Sequence, residues 1–345
     1  MSGVCAVVVN FDGERLLGPC LESVEVALAR CAGPRLAVRT ILVDNGSSDG
    51  SLALVRARFP AVEVVELGRN GGFATGVNAG IARSCEEWLL LVNSDMTLAP
   101  TAVERLLAAG EDPRVGSVGA QIRFAADERA INSAGIEVDV LGVAGDRLVG
   151  QPAASASHAP HEVFGVSAGA ALYRRSMLAE IGGFDESFFL YLEDADVAWR
   201  ARAHGWTAVC VPEAVAVHRH SATARHGSPA KHFHVGRNRV RMLAKNATRA
   251  QLLRHGPRIV IHDLAHGGYA AVAGRTLAPL RGRIAGLREW RAYRAAGGDR
   301  APVELAPAAG LRAALARNRA WRRYSACAVA DDASAAKASA PRAIA

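Results

Sequence analysis

Apolar runs alternate with amphipathic stretches from the first residues of the chain. The runs at 4–9, 40–43, 62–67, 88–92 and 115–120 are short and rich in Val, Leu and Ile, which predicts β-strands. Between them, the patterns at 15–30, 51–59, 74–85 and 100–110 have helical spacing. Repeated strand–helix–strand units of this length predict an α/β fold, with a Rossmann-like, mostly parallel sheet and helices on both faces.

The pattern becomes less regular after residue 120. Residues 121–165 carry scattered Gly, Ala and polar residues and are predicted to form a loop-rich insert. A strand is expected at 166–173, helices at 175–181 and 193–204, and short strands at 209–211 and 214–217. From about residue 250 the pattern is that of basic amphipathic helices. The Ala- and Ser-rich residues 328–345 are predicted to be disordered.

Composition narrows the class of protein. The 345 residues are 50% hydrophobic, which is enough for one large α/β domain with an appended segment. The six cysteines include no CxxC pair, and this favours a reducing, cytosolic location over a disulfide framework or a zinc ribbon. We expect neither a signal peptide nor a spanning helix, because we find no cationic leader and no apolar stretch of about 18 residues.

Charge divides the chain unevenly. Residues 1–230 hold 19 Lys and Arg against 27 Asp and Glu, a net of −8, whereas residues 231–345 hold 22 against 6, a net of +16. Leu, Ile and Trp interleaved with Arg at 250–325 indicate basic helices that suit an anionic membrane surface. A nucleic-acid-binding arm is one alternative, and packing of these helices on the main domain or on a second subunit is another.

Polar and Gly-rich strings follow the predicted strands at their carboxyl ends, where parallel sheets bind ligands. They are VDNGSSDGS at 43–51, RNGGFATGVNAGI at 69–81 and GGFDESFFLYLEDADVAWR at 182–200. In this order, with Asn-Ser-Asp at 93–95 and His218, they resemble the GT-A fold glycosyltransferases of family 2, above all the bacterial rhamnosyltransferase-type branch. The resemblance covers about residues 4–245. It implies an inverting transfer of a sugar from a nucleotide-diphosphate donor.

Two strings are candidates for the donor site. A carboxylate and an amide at a strand end, Asp44 and Asn45, can hydrogen-bond the polar edge of a pyrimidine, and in the family this position contacts nucleobase or ribose. An ordinary Asp-Asn-Gly turn is the structural alternative. The loop with Asn70, Gly72 and Asn78 opens a helix and is placed to approach ribose or pyrophosphate through backbone N–H groups. The resemblance adds Asn10 and Asn93 to the predicted donor site. Gly169 is expected to let the backbone approach donor or acceptor closely, and a packing glycine is the structural alternative.

The string at 93–95 stands where the family carries its DxD motif, so we expect Asp95 to bind a divalent metal, Mg or Mn. A hard cation held by a carboxylate stabilises the charge that grows on a diphosphate leaving group. Asn93 replaces the first acid, which predicts weaker metal binding than two carboxylates give. The resemblance adds His218 as a further metal ligand. A structural histidine is the alternative there, because several other histidines crowd the same region.

The acids at the start of the helix at 193–204 are the candidates for catalysis. Inverting transfer needs one carboxylate to remove the proton of the acceptor hydroxyl. By resemblance, Asp194 is the predicted catalytic base and Glu193 its positioning partner, and Asp196 is the rival base. The same acids stabilise a helix N-terminus, so a structural role is compatible with either assignment.

Together these observations predict a catalytic domain at 1–245, a basic helical appendage at 246–327 and a disordered tail at 328–345. The expected donor is dTDP- or UDP-linked, with dTDP-rhamnose as first candidate. The expected acceptor is a glycan or lipid-linked glycan of cell-envelope or surface polysaccharide synthesis. We expect a cytoplasmic enzyme, peripheral on the cytoplasmic face of the inner membrane, with no nucleic-acid partner. The alternatives are a catalytically inactive sugar-nucleotide-binding module and a basic nucleic-acid-binding protein.

Overall fold

A computed structural model describes residues 3–33, 36–219, 228–297, 301–310 and 312–324. The predicted tail at 328–345 lies outside these ranges. The strands are β1 Gly3–Asn10, β2 Ala37–Asp44, β3 Glu63–Glu66, β4 Trp88–Asn93, β5 Met96–Leu98, β6 Val115–Phe124, β7 Asp127–Ser133, β8 Ile136–Val138, β9 Ala144–Asp146, β10 His161–Val163, β11 Ala170–Arg174 and β12 Thr207–His218.

The helices are α1 Glu14–Ala29, α2 Ser51–Arg58, α3 Phe73–Arg83, α4 Ala102–Ala109, α5 Arg175–Ile181, α6 Glu193–Ala203, α7 Pro229–Asn246, α8 Arg249–Val272, α9 Ala278–Arg288, α10 Trp290–Ala296 and α11 at 312–324. All the strands and helices predicted before residue 121 are present, with bounds shifted by a few residues. The additional strand β5 is too short for a period to be recognised in the sequence.

The central sheet has the order β3-β2-β1-β4-β11-β6-β12-β10, with β5 beside β12 and β7 beside β6. The first four strands are parallel, as are β6 and β12, but β11 runs antiparallel between β4 and β6. The sheet is therefore mixed, but six of its ten strands, β1, β2, β3, β4, β6 and β12, run in one direction, so the predicted mostly parallel sheet with helices on both faces is confirmed. β11 begins beside Val92 at the carboxyl end of β4 and ends beside Trp88, so it enters the sheet from the carboxyl edge and runs backwards.

The predicted loop-rich insert at 121–165 is wrong in its detail. β6 extends to residue 124, β7 pairs with it, β8 and β9 form a small antiparallel hairpin, and β10 pairs with β12. These strands are mostly three residues long, which is too short for an alternating pattern to stand out. The two strands predicted at 209–211 and 214–217 are one strand, β12, with a register shift between Val211 and Val215.

Both faces of the sheet are covered, and this explains the continuous apolar runs. In β1, Val4, Ala6 and Val8 face one core cluster, whereas Cys5 and Val7 face the other. A strand buried on both faces needs apolar residues at every position rather than at alternate ones. The polar residues come at the strand ends, and the sheet therefore places them together along one edge.

The basic helices after residue 246 pack on one another and on the main domain. α7 and α9 approach closely through glycines, since a Cβ at Gly282 would lie 2.1 Å from the Phe233 carbonyl oxygen. Leu252 and Trp290 pack against a cluster that includes Trp199 and Met242. None of the helices in the described ranges combines the length and the apolar character that crossing a bilayer requires.

Candidate active site

The carboxyl ends of β1 and β2 lie side by side and carry the first predicted cluster. Asn10 is in register with Asp44, and both side chains are buried. The Asp44 carboxylate accepts hydrogen bonds from the backbone amides of Gly46 and Ser47 at 3.1 and 2.9 Å and from the Ser47 hydroxyl at 2.5 Å. Asn10 Nδ2 also donates to that hydroxyl, at 3.1 Å. The string thus forms a tight Asx-type turn at the edge where open α/β sheets bind ligands.

Asn45 joins this turn to the Gly-rich loop. Its amide donates to the Gly72 carbonyl oxygen at 2.9 Å and accepts from the Gly71 N–H at 3.0 Å, and Asn70 Oδ1 accepts from the Gly72 N–H at 3.0 Å. Gly72 has φ +87°, and a Cβ there would lie 2.3 Å from the Phe189 carbonyl oxygen. Glycine is required here by its backbone conformation and by the close approach of a second loop.

Asn78 is held by a different part of the chain. Its amide donates to the Phe184 carbonyl oxygen at 2.8 Å and to Glu186 Oε1 at 3.0 Å, and it accepts from the Phe184 N–H at 3.1 Å. The side chain therefore fastens the loop after α5 to α3. A direct contact between Asn78 and a donor would compete with these three hydrogen bonds.

The end of β4 carries a buried acceptor. The Asn93 N–H donates to the Gly169 carbonyl oxygen at 2.9 Å, while Asn93 Oδ1 is buried and has no hydrogen-bond partner among the described residues. A Cβ at Gly169 would lie 2.3 Å from Met96 Cε and 3.4 Å from Asn93 Nδ2, so glycine lets β11 approach β4. A buried oxygen without a partner costs about 1–3 kcal/mol. A ligand that bonded to it would recover that energy.

Asp95 and His218 meet across the β5–β12 pair. His218 Nε2 lies 3.2 Å from Asp95 Oδ2, and the two side chains are 16% and 14% exposed. His218 Nδ1 contacts Asn132 Oδ1 at 3.0 Å, which fixes the orientation of the ring in the way that metal-binding histidines are commonly held. A carboxylate and an imidazole suit Mn²⁺ or Mg²⁺ together with ligand oxygens. The described part of the chain gathers no cluster of three or more His, Cys, Asp or Glu side chains with metal-site geometry.

The acidic pair follows a strained loop. Phe189, Tyr191 and Leu192 all have positive φ, at 63°, 72° and 69°, and α6 begins at the next residue, Glu193. Such a conformation costs a non-glycine residue about 1–2 kcal/mol. The surrounding structure must therefore hold the loop in place.

Asn238 on α7 supplies much of that restraint. Its Nδ2 donates to the carbonyl oxygens of Phe188, Leu190 and Tyr191 at 2.9, 3.0 and 2.8 Å, and the residue is completely buried. This role of Asn238 could not be predicted from the sequence, because nothing local to residue 238 indicates which loop it contacts. The only signal was an asparagine set among arginines on an otherwise amphipathic helix.

Burial and neighbouring charge alter the protonation of the pair. The pKa of Glu193 is raised, first by burial and then by the charge of Asp194. The pKa of Asp194 is also raised, by burial and then by Asp146. A higher pKa makes a carboxylate a stronger base. Asp146 lies on β9, in the segment predicted to be irregular, and its side chain bonds Ser133.

Asp196 occupies a different environment. It is completely buried, and its carboxylate contacts Arg200 Nη2 at 2.7 Å, Lys245 Nζ at 3.1 Å and Asn246 Nδ2 at 2.7 Å. Burial alone would raise the pKa of Asp196, but Arg200 and Lys245 outweigh it and the pKa is lowered. A carboxylate compensated in this way is a weak base and a structural ion-pair centre. The geometry therefore disfavours the rival base.

The last described helix also reaches this loop. The Lys231 ammonium lies 5.1 Å from the centre of the Tyr191 ring and 5.4 Å from that of Trp321, which stands on α11. Trp321 in turn packs edge-on against Phe124 at the end of β6, with ring centroids 5.6 Å apart. Lys231 thus lies between the ring of Tyr191, in the loop before α6, and the ring of Trp321 on α11. Their separation of up to 130 positions along the chain hid this arrangement from the sequence analysis.

The mixed sheet, with its polar groups gathered at the carboxyl edge, is the GT-A fold of nucleotide-sugar transferases. Among solved structures with this fold, GalNAc-T7 with UDP, GalNAc and Mn²⁺ superposes with a TM-score of 0.56 at 15% identity, covering 72% of this chain and 49% of that one. The mannosyltransferase PcManGT from Pyrobaculum calidifontis, in complex with GDP-Man and Mn²⁺, gives a TM-score of 0.51 at 18% identity, covering 95% and 85% of the two chains.

The chain belongs to glycosyl transferase family 2, whose family model matches residues 5–182. It is a glycosyltransferase. A relative at 32% identity over 241 residues is the N-acetylglucosaminyl-diphospho-decaprenol L-rhamnosyltransferase of Mycobacterium tuberculosis. That alignment covers 63% of this chain and 76% of the relative.

Proposed function

We propose that this chain is an inverting glycosyltransferase that moves a sugar, with rhamnose the first candidate, from a dTDP- or UDP-linked donor to a lipid-linked glycan. The observation that carries the proposal is the acidic pair at the start of α6, held beside a strand edge that also presents Asp95 with His218. The similarity to a rhamnosyltransferase with a diphospho-decaprenol acceptor supports the sugar and the acceptor class. Cell-envelope or surface polysaccharide synthesis is the corresponding process.

The donor would lie along the carboxyl edge of the sheet. The turn at Asp44 and Asn45 would face the nucleobase and ribose, and the loop at 70–73 would meet the ribose or pyrophosphate through its backbone. Both segments are rigid because Asn45 bonds the loop and the Phe73 N–H donates to the Phe189 carbonyl oxygen at 2.7 Å. Rigid donors and acceptors recognise a ligand without the entropy cost of ordering them on binding.

Asp95 and His218 would hold a divalent cation, and Asn93, two positions before Asp95, would offer to the donor its Oδ1, which has no hydrogen-bond partner in the described part of the chain. With two protein ligands the remaining positions would be left for water and for phosphate oxygens of the donor, as is usual for Mg²⁺ and Mn²⁺ in nucleotide sites. When bound, the cation stabilises the negative charge of the departing nucleoside diphosphate. The two solved structures described above contain Mn²⁺, which agrees with this choice of metal.

Asp194 is the proposed base. Its Oδ1 accepts the Ala195 N–H at 2.8 Å, which orients the carboxylate, and its side chain is only partly buried. It would take the proton of the acceptor hydroxyl as that oxygen attacks the anomeric carbon from the face opposite the leaving diphosphate. Glu193 is 6% exposed and its raised pKa keeps it protonated over a wider range of pH. It would support the loop rather than exchange protons with the acceptor.

The location proposed for the enzyme is the cytoplasm, peripheral on the cytoplasmic face of the inner membrane. A long-chain lipid-linked acceptor, such as the diphospho-decaprenol named for the relative, remains in the bilayer, so an enzyme that uses it has to work at the membrane surface. The basic helices after residue 246 are the part of the chain proposed to contact anionic lipid.

The test combines donor binding with transfer. Thermal unfolding of the full chain is measured with dTDP-, UDP- and GDP-sugars, each with and without Mn²⁺, and transfer to a synthetic lipid-linked acceptor is measured with the donor that binds. We expect a metal-dependent rise in Tm for one nucleotide, its loss in Asp95→Ala, and loss of transfer but not of binding in Asp194→Asn.

Two results would count against the proposal. Full transfer activity of Asp194→Asn would remove the assignment of the base. Metal-dependent donor binding with no transfer to any acceptor would point instead to an inactive sugar-nucleotide-binding module.

A further inference from the structure

The outer face of α8 exposes large apolar side chains. Leu253, Val260, Ile261, Leu264 and Val272 are each more than half exposed, at 83%, 57%, 66%, 65% and 83%. Their spacing of three, four and seven or eight residues places the first four on one stripe of the helix. Large apolar side chains grouped in this way on a surface mark an interaction site rather than ordinary exposed residues.

Another side of α8 already has its partners. Asp263 forms ion pairs with Arg239 of α7 and with Arg283 of α9, Leu252 and Ile259 pack against a core cluster, and Ala270 is buried. The helix is therefore attached to the protein by one side, and the apolar stripe is directed away from it.

α9 extends the same surface. Leu280, Ile284 and Leu287 are spaced by four and three residues and are 36%, 42% and 59% exposed. Leu280 adjoins α8, because its Cβ lies 4.0 Å from the position that a Cβ on Gly267 would take. The opposite side of α9 packs on α7 through Gly282. We call the exposed apolar residues of α8 and α9 together the outer stripe.

The outer stripe is surrounded by positive charge. Residues 249–297 contain nine arginines and two acids, and both acids are used in ion pairs, Asp263 with Arg239 and Arg283, and Glu289 with Arg241. Seven of the nine arginines are exposed. They are Arg249, Arg254, Arg258, Arg275, Arg281, Arg288 and Arg291.

The exposed apolar side chains and the exposed arginines together favour one kind of binding partner over the others. A second copy of the chain on the same surface would bring arginines against arginines. A nucleic acid would neutralise the arginines but would leave the leucines in water. An anionic bilayer surface provides phosphates for the arginines and an apolar layer directly beneath for the side chains of the stripe.

We propose that the outer stripe of α8 and α9 lies in the headgroup region of an anionic membrane, with Arg254 and Arg258 on its lipid phosphates. The inference deepens the proposed peripheral location and rests on it, since it names the surface and the lipid chemistry. The helices would lie along the membrane plane, with the catalytic domain outside the bilayer. A lipid-linked acceptor would then be confined to the same surface as the enzyme.

The test uses the full chain and vesicles without donor or acceptor. Co-sedimentation is measured with phosphatidylcholine vesicles and with vesicles that contain about one third phosphatidylglycerol. Two double variants each remove one kind of contact. Ile261→Asp with Leu264→Asp removes the apolar contact, and Arg254→Gln with Arg258→Gln removes two positive charges. The matched control is Val26→Asp, which places a charge at an apolar residue of α1 that is 50% exposed. All the altered side chains are exposed, so the fold is expected to persist, and circular dichroism checks it.

We expect binding to the anionic vesicles that is at least tenfold weaker for the double aspartate variant and unchanged for Val26→Asp. The arginine variant should bind about 30-fold more weakly, from about 1 kcal/mol for each cation near an anionic surface. Absence of binding by the unaltered chain, or equal binding by all variants, would overturn the inference. So would a dimer in sedimentation analysis that dissociates in the double aspartate variant, because the stripe would then cover a second copy. Donor binding measured on the same samples tests the proposed function independently.

Discussion

The loop before the acidic pair should depend on a single amide. Substituting Asn238 by Ala removes the donor that the carbonyl oxygens of Phe188, Leu190 and Tyr191 share. The Phe188 oxygen keeps two further hydrogen bonds, from Arg237 Nη2 at 3.2 Å and from the Leu190 N–H at 2.7 Å. The loss therefore falls on the carbonyls of residues 190 and 191.

The magnitude follows from those two carbonyls. A polar group left without a partner in a buried site costs about 1–3 kcal/mol, so for two such groups we expect the free energy of unfolding to fall by about 2–6 kcal/mol. The loop can also relax, because Tyr191 and Leu192 would leave their positive φ values. Relaxation would limit the loss of stability but would displace Asp194. Misplacement of a catalytic group by about 1 Å costs on the order of 100-fold in rate.

The assay is urea unfolding of the Asn238→Ala variant together with kcat for sugar transfer. Asn246→Ala is the matched control, since it removes one buried amide from the same helix and leaves Asp196 with Arg200 and Lys245. It should lose stability while kcat stays within a few-fold. Asn238→Asp should be no better than Asn238→Ala, because it sets a carboxylate against carbonyl oxygens. An Asn238→Ala variant with unfolding free energy within about 0.5 kcal/mol of the unaltered chain and normal kcat would refute the reasoning.

Three further predictions concern the site. Asp146→Asn removes a negative charge that raises the pKa of Asp194, so the acid limb of the pH profile of kcat/KM should move to lower pH. An acid limb that does not move, or that moves to higher pH, would show that the charge of Asp146 does not control the pKa of Asp194. Gly72→Ala should weaken donor binding at least tenfold in calorimetry, because φ +87° and the Phe189 carbonyl oxygen leave no room for a methyl group, and normal affinity would show that the loop is adaptable. His218→Ala should raise the Mn²⁺ concentration for half-maximal activity by about 10- to 100-fold at similar saturated kcat, whereas an unchanged metal requirement would make His218 a purely structural residue.

The sequence by itself determined the first half of the sheet and the order of the polar strings. Strands buried on both faces need continuous apolar residues, so β1, β2 and β4 were evident from composition over a few positions. The strings that follow them stand at fixed strand ends, and that local relation placed Asn10, Asp44 and Asn93 at one edge before any contact was known. The sequence was equally sufficient for the family, since its strings are long and occur in the family's order.

Other features depended on residues distant in the chain. Asp194 and Asp196 are two positions apart and chemically alike. Besides Arg200, four residues on, it is Lys245 and Asn246, about 50 residues later, that compensate the carboxylate of Asp196 and distinguish it from that of Asp194. In the same way, Asp146 acts on Asp194 only because the β8–β9 hairpin folds back to the sheet edge. A one-dimensional pattern records the period of an element but not which side chains of other elements surround it.

Tertiary packing also decided which face of each helix after residue 246 is exposed. The sequence showed amphipathic basic helices after residue 246, but an amphipathic pattern does not say which face a neighbour covers. In the structure, α8 packs on the protein through Leu252 and Ile259 and through the ion pairs of Asp263 with Arg239 and Arg283, while Leu253, Ile261 and Leu264 remain exposed. The covered side of α8 is thus set by partners on other helices, which the helical period alone does not identify.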